Sequence, residues 1–231
     1  MMAQKILTIL MPCLNEEESI AFCIREAQLF IQENGIVAEI LVVDNGSEDA
    51  SGQIARDLGA RVVAEENRGY GYAVRAGIRE AKGKYIIMGD CDGSYDFQKL
   101  QQILEKLEAG YALVVGNRLQ GEIEKGAMPF LHHYIGVPVL SWLARRRFRI
   151  NEVQDFHCGL RGFSKEAAQQ LKFCTDGMEF ATVMIVEFAM AGALICEVPI
   201  GLRADKRSGS SHLRTFRDGW RHLKYIIAKR I

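Results

Sequence analysis

None of the six cysteines, Cys13, Cys23, Cys91, Cys158, Cys174 and Cys196, stands in a C-x-x-C pair. Thiols scattered through apolar or glycine-containing runs do not make the disulfide framework of a small secreted protein, so a reduced, cytoplasmic chain is expected. The chain also lacks a signal-peptide core. Its first apolar run, Ile6–Met11, is short, and Pro12 followed by Asn15-Glu16-Glu17-Glu18 is no cleavage site. No clean membrane span replaces it: the longest stretch free of Asp, Glu, Lys and Arg, Gly126–Ala144, holds Pro129, Pro138, His132 and His133. That segment is expected to lie on a surface. Phe180–Cys196 is interrupted by Glu187 and closed by Gly192, which fits a buried helix. Repeats and low-complexity tracts are absent too.

Net charge is the last absence, with 29 Lys and Arg against 29 Asp and Glu. The balance is uneven along the chain. Residues 201–231 carry nine Lys or Arg against two Asp, which leaves about +7 on the tail and about −7 on the first 200 residues. A solvated basic helix and an anionic partner both suit such a tail. Nucleic acid is not expected, because no recognition motif accompanies the charge.

What the 231 residues do contain is a strand and helix alternation. Lys5–Met11, Glu39–Val43, Arg61–Ala64, Lys84–Met88 and Ala112–Val115 read as buried strands, each bounded by turn formers. Between them Glu16–Phe30, Asp49–Leu58, Tyr70–Ala81 and Phe97–Ala109 show helical spacing, as in Ile20, Cys23, Ile24, Ala27 and Phe30. This order predicts an α/β fold with a mostly parallel sheet flanked by helices. After residue 116 the pattern changes to amphipathic segments punctuated by Gly and Pro. We therefore expect one domain over 1–231, with a sheet-forming part (1–116), a second part (117–213) and a basic C-terminal helix (214–231).

In such sheets ligands bind at the carboxyl edge, so the loops at 12–16, 44–47 and 89–94 should line one site. The sharpest signal among them is Gly89-Asp90-Cys91-Asp92-Gly93-Ser94. Two carboxylates one residue apart can hold Mg2+ or Mn2+ that shares its remaining positions with substrate phosphate oxygens. A solvated turn uses the same residue types. Asn15 can cap a helix, and Asp44 can take nucleobase or ribose hydrogen bonds or close a turn. Gly69-Tyr70-Gly71 does not follow the first strand, which argues against a dinucleotide site. It instead lets a helix start near a donor, with Arg68 close to its phosphates or sugar.

Taken in order, Met11-Pro12-Cys13-Leu14-Asn15-Glu16, Val42-Val43-Asp44-Asn45-Gly46-Ser47, Gly69-Tyr70-Gly71, Gly89-Asp90-Cys91-Asp92 and Gln154-Asp155-Phe156-His157-Cys158-Gly159-Leu160-Arg161 resemble family 2 glycosyltransferases. The branch they resemble includes dolichyl-phosphate mannose synthase and bacterial polyprenyl-phosphate glycosyltransferases. The resemblance implies a Rossmann-like GT-A fold with C-terminal amphipathic helices, inversion at the sugar carbon, and a divalent cation. It places Pro12, Asn15, Glu16, Asp44, Arg68, Gly69 and Asp90 at the nucleotide-sugar and Asp90 and Asp92 at the metal. Asp92, Asp155 and Arg161 fall at the reacting centre, and Arg118, Lys206 and Arg207 at the acceptor phosphate. Cys91 and Gly93 depart from the commoner neighbours of the metal motif. Gln154 stands where many hydroxyl-directed relatives have an acid, and no membrane-spanning segment like the tail of many lipid-directed relatives is expected within these 231 residues.

The acceptor expected from this is polyprenyl phosphate at the cytosolic membrane face, with peripheral contact to anionic lipid. Met128–Phe148 presents Phe130, Leu131, Ile135, Leu140, Trp142 and Leu143 ahead of Arg145-Arg146-Arg147, a pattern that suits an interface and also suits an ordinary core helix. A soluble transferase acting on a hydroxyl of a saccharide or small metabolite, and a nucleotide-sugar-binding module without catalysis, are the alternatives.

Overall fold

The computed structural model describes residues 6–128, 136–207 and 215–229. Lys5, Pro129, Phe130, Leu131, His132, His133, Ile135, Arg214 and Arg230, on which parts of the reading above rest, lie outside them.

The first strands are continuous apolar runs, as a sheet covered on both faces requires. β1 (Leu7–Cys13) pairs in parallel with β2 (Ala38–Asp44) and with β4 (Tyr85–Met88), and β2 pairs with β3 (Arg61–Ala64). β1 runs past Met11 and takes in Pro12. The β4 pairing ends at Leu10 opposite Met88, so the missing N–H of Pro12 breaks no ladder on that side.

Helices α1 (Ile20–Glu33), α2 (Ser51–Asp57), α3 (Tyr70–Glu80) and α4 (Gln101–Glu108) form where the periodicity predicts them. The apolar face of α1 is buried at each expected position, Ile20, Cys23, Ile24, Ala27 and Phe30. α4 starts later than its apolar spacing suggests, because the Phe97 N–H bonds the Glu26 carboxylate and the chain turns between Asp96 and Lys99. Glu26 is itself buried in the inward face of α1, where Arg203 meets it at 2.7 Å.

Beyond β5 (Leu113–Asn117) and a 3-10 turn (Arg118–Gln120), the chain returns to the sheet twice. β6 (Arg161–Ser164) is antiparallel to both β4 and β5 and lies between them, and β7 (Ile195–Pro199) extends the far edge beside β5. The seven strands stand in the order β3-β2-β1-β4-β6-β5-β7. Neither late strand shows in the hydrophobic pattern. Gly162 in β6 leaves room for α4, since a Cβ there would come within 2.3 Å of Ile103.

α5 (Val137–Phe148), α6 (Lys165–Gln169), α7 (Phe180–Met190) and α8 (Thr215–Ala228) complete the chain. Eight of the eleven α7 residues are buried, in keeping with the expected core helix, although it ends at Met190 and gives way to β7 after Gly192. α5 and α8 pack together. No helix among the described residues is long and apolar enough to cross a membrane.

Candidate active site

The carboxyl ends of β1, β2 and β4 open on one cavity of about 210 Å³, walled by Pro12, Glu16, Asn45, Gly69, Tyr70, Asp90, Asp92, Met178 and Arg207. Strand register brings the loops together: Cys13 stands opposite Asp44, and Leu10 opposite Met88, two residues before Asp90. Asn45 then ties the β2 end to the loop before α3. Its amide donates to the Glu65 and Asn67 carbonyls at 3.0 and 2.7 Å and accepts the Gly69 N–H at 2.7 Å. Gly69 has φ of 150°, and a Cβ there would lie 2.4 Å from the Asp176 carbonyl oxygen. The glycine is required by the Asp176 backbone that passes over it.

The carboxylate pair is fixed by its own turn. One oxygen of Asp92 accepts the Ser94 N–H at 2.9 Å and its hydroxyl at 2.6 Å, and the other faces Arg207 at 3.2 Å. Asp90 lies beside the Tyr70 hydroxyl and backs onto Gly159, where a Cβ would come within 2.4 Å of its Oδ2. Burial, and then the charge of Asp92, push the Asp90 carboxyl up to about 7. Glu16 is likewise pushed up to about 7 by burial, against the pull of Arg207 at 3.0 Å. Unbalanced negative charge of this kind is what a divalent cation relieves. Among the described residues no third His, Cys, Asp or Glu joins a metal-holding group, so a cation on Asp90 and Asp92 would take its other ligands from substrate or water. The residues therefore fit Mg2+ or Mn2+.

Arg207 reaches this pair from a strap laid across it. The Arg203 N–H donates to the Ser94 carbonyl and the Lys206 N–H to the Asp92 carbonyl, both at 2.9 Å. Arg207 contacts Glu16, Asp92 and Asp205 at once, which holds its guanidinium firmly charged despite burial.

A second hollow of about 190 Å³ adjoins the first through Met178, which walls both, and it is lined by Arg118, Met128, Val137, Leu140, His157 and His222. At its base Arg118 clamps Asp155 with Nε and Nη2 at 2.7 and 2.8 Å. Asp155 is fully buried and also accepts the N–H groups of Arg118 and His157. Burial alone would raise its pKa, but the adjacent guanidinium holds it below the usual carboxylate range.

Several expected site residues sit elsewhere. Arg161 is 1% exposed, and its guanidinium donates to the backbone carbonyls of Cys158, Phe156 and Ala181. It braces the 155–160 loop from behind and presents nothing to a phosphate. Lys206 lays its stem on Gly93 and its ammonium over the Phe22 ring at 4.1 Å, outside either cavity. Arg68 is spent on the Gly46 carbonyl and Glu48, at the exit of β2. Asn15 links to Ser47 and Glu48, and Asp44 accepts the Ser47 N–H at 2.8 Å, so both shape the rim. Pro12, Glu16, Gly69, Asp90, Asp92 and Arg207 do converge, with Arg118 in the adjoining hollow and Asp155 buried behind it, lining neither. The sequence reading missed Asn45, Tyr70 and Met178 as parts of the site. Asn45 and Tyr70 were visible within quoted motifs, whereas nothing local marks Met178.

A sheet in this order with a carboxylate pair at its carboxyl edge is a GT-A-type α/β domain. The Glycosyl transferase family 2 model matches residues 8–172, and the chain belongs to that family. The low-salt glycan biosynthesis hexosyltransferase Agl6 of Haloferax volcanii is 38% identical over 96% of this chain, which spans 53% of that protein's length. A dolichyl-phosphate hexose transferase of the same organism is 32% identical, with 96% of this chain and 92% of that protein covered. Among solved structures, glucosyl-3-phosphoglycerate synthase from Mycobacterium tuberculosis, in complex with Mn2+, UDP and phosphoglyceric acid, shares the fold with a TM-score of 0.76. That likeness covers 99% of this chain and 81% of that one at 22% identity.

Proposed function

We propose that this protein is an inverting glycosyltransferase that moves a sugar from a UDP- or GDP-sugar to a polyprenyl phosphate of the dolichyl type. The Arg118–Asp155 pair carries the choice of acceptor. A hydroxyl nucleophile needs a general base, and Asp155 makes a poor one, with both oxygens committed to Arg118 and its proton affinity lowered. A phosphate monoester loses its second proton near pH 6 and attacks without help. The relative named a dolichyl-phosphate hexose transferase, which this chain matches along nearly that protein's whole length, supports the same reading.

In this scheme a phosphate oxygen of the acceptor forms the new bond to the sugar's anomeric carbon, and the bond to the nucleoside diphosphate breaks. The diphosphate leaves with the electron pair. Mg2+ or Mn2+ on Asp90 and Asp92, when bound, supplies positive charge to that leaving group. Arg207 adds a cation from the strap, Arg118 faces the acceptor side, and Glu16 with Pro12 walls the nucleoside end. The apolar walls of the second hollow suit the start of an isoprenoid chain.

The same reading puts the protein on the cytosolic face of a membrane as a peripheral enzyme. Val139, Trp142 and Arg146 lie on one exposed side of α5, and Trp220, Lys224 and Ile227 on one exposed side of α8. Trp142, Arg146 and Ile227 share a surface hollow. Exposed tryptophans flanked by cations match a headgroup interface. The test is incubation of purified protein with Mn2+, labelled UDP- and GDP-sugars and polyprenyl phosphate. A labelled product in the organic phase is expected. Transfer only to water-soluble hydroxyls, or nucleotide binding without turnover, would overturn the assignment.

A further inference from the structure

The Arg118–Asp155 pair joins residues 37 positions apart, and one carboxylate organises both of them. Glu197 in β7 accepts the N–H groups of Gln154 and Asp155 on one oxygen, at 2.7 and 2.8 Å. Its other oxygen accepts the side-chain amide of Asn117 at 2.8 Å. Asn117 is fully buried at the end of β5, and its own carbonyl oxygen accepts the Leu119 and Gln120 N–H groups at 2.9 and 3.2 Å. Those bonds cap the turn that begins with Arg118.

The orientation of the Asn117 amide follows from chemistry. Its oxygen must serve two backbone donors, so its NH2 must face an acceptor, and Glu197 is that acceptor. The β5 and β7 register sets the distance, with Val115 opposite Glu197 and Asn117 opposite Pro199. Glu197 therefore holds the Asp155 backbone directly and the Arg118 turn through Asn117. It lines neither cavity, so it acts on the pair and touches no substrate.

We propose that Glu197 and Asn117 form a positioning pair that sets the geometry of Arg118 and Asp155 for the acceptor. This rests on the reading of that ion pair as acceptor-side machinery. Glu197→Gln replaces one acceptor by a donor, which then confronts either the Asn117 NH2 or the two backbone N–H groups. Misplacement of this kind is expected to lower kcat by about tenfold to hundredfold. KM for the nucleotide-sugar should stay unchanged, because the donor cavity is bounded by other elements. Asn117→Asp alone sets two carboxylates face to face and should lose activity as well.

The double variant Glu197→Gln with Asn117→Asp exchanges donor and acceptor while keeping every hydrogen bond and the net charge. It is expected to return kcat per folded molecule to within about threefold of wild type, and to recover the thermal midpoint lost by each single change. Folded fraction is measured alongside each rate, so loss of fold is not read as loss of positioning. Full kcat in Glu197→Gln, a raised donor KM in place of a lowered kcat, or a double variant no better than the singles overturns the proposal. Absence of wild-type transfer to polyprenyl phosphate, with transfer to another acceptor that Glu197→Gln impairs and the swap restores, overturns the acceptor assignment and leaves the positioning pair standing.

Discussion

Asp155→Asn asks most of the reasoning, because the structure fixes both its stability cost and its kinetic signature. Asp155 is fully buried and accepts four N–H groups, three of them from Arg118. An asparagine keeps one accepting oxygen and turns an NH2 toward the guanidinium, leaving a nearly buried positive charge without its counter-ion. Breaking a buried pair from one side costs about 3–5 kcal/mol. For a chain of this size each kcal/mol moves the midpoint by about 2–4 °C, so a fall of roughly 6–20 °C is expected. The assay is a pH profile of kcat/KM for lipid-phosphate transfer, corrected for the folded fraction. Both proteins should show one acidic limb near the acceptor's second pKa, about 6, and a plateau above it. The variant's plateau should sit lower through lost positioning alone. If Asp155 were a general base, its loss would remove about 10²–10⁴ of the rate and the remainder would climb with hydroxide. That climb, with transfer to a hydroxyl acceptor and none to polyprenyl phosphate, refutes the argument.

Asp92→Asn should abolish transfer and weaken nucleotide-sugar binding, and Asp90→Asn should be similarly severe; turnover by either at the wild-type rate, or by wild type in excess chelator, would remove the cation from the scheme. Thermal midpoints against pH should separate two opposed pairs. Glu16 and Asp90, raised to about 7, hold protons in the folded state that the unfolded chain has lost, so they lower stability as pH rises through about 4.5–7. His157 and His222 are pushed down by burial, His222 to about 4, so below the unfolded value of 6.5 they lose stability as pH falls. The free protein should thus be nearly flat between pH 5 and 6.5 and fall towards pH 8. With Mn2+ and nucleotide the carboxyls ionise, and the midpoint should rise up to pH 6.5 and then level. A free-protein midpoint that climbs steadily to pH 8 would contradict those carboxyl shifts. Finally, the protein should sediment with anionic vesicles at low salt and be released at high salt, exposed charges being screened within about 10 Å at 0.1 M. Of the arginines at the end of α5 and just after it, Arg146 and Arg149 are exposed and Arg147 bonds the Lys229 carbonyl, so Arg146→Ala with Arg149→Ala should weaken binding most. Equal recovery on neutral vesicles would count against an electrostatic surface.

The parallel half of the sheet was legible because strands buried on both faces are apolar runs, and turn formers mark their ends. The carboxylate pair was legible because it follows one of those runs directly. Legibility stopped where a residue's role depends on a distant partner. Arg161 sits in a quoted motif beside Asp155, yet its side chain points to backbone carbonyls, an outcome set by β6 entering the sheet and not by any spacing. Arg68 follows the same logic, since Glu48 and the Gly46 carbonyl, 20 and 22 positions away in sequence, claim it. β6 itself is four residues, Arg161 to Ser164, one of them a glycine, too few to show alternation. Glu26 and Glu197 read as surface acids until the tertiary fold supplies their donors.

The place of β6 also governs how the chain can be made and cut. β4 and β5 face one another only through a strand that arrives after them, between Arg161 and Ser164. On a ribosome adding about 5–20 residues per second, roughly 2–9 s separate the end of β5 from the end of β6, and both strands wait that long with an open edge. A break at residue 116 would make that wait permanent for β4. A two-piece version of the protein should therefore be divided after Ser164, so that β6 stays on the fragment that carries β4 and β5.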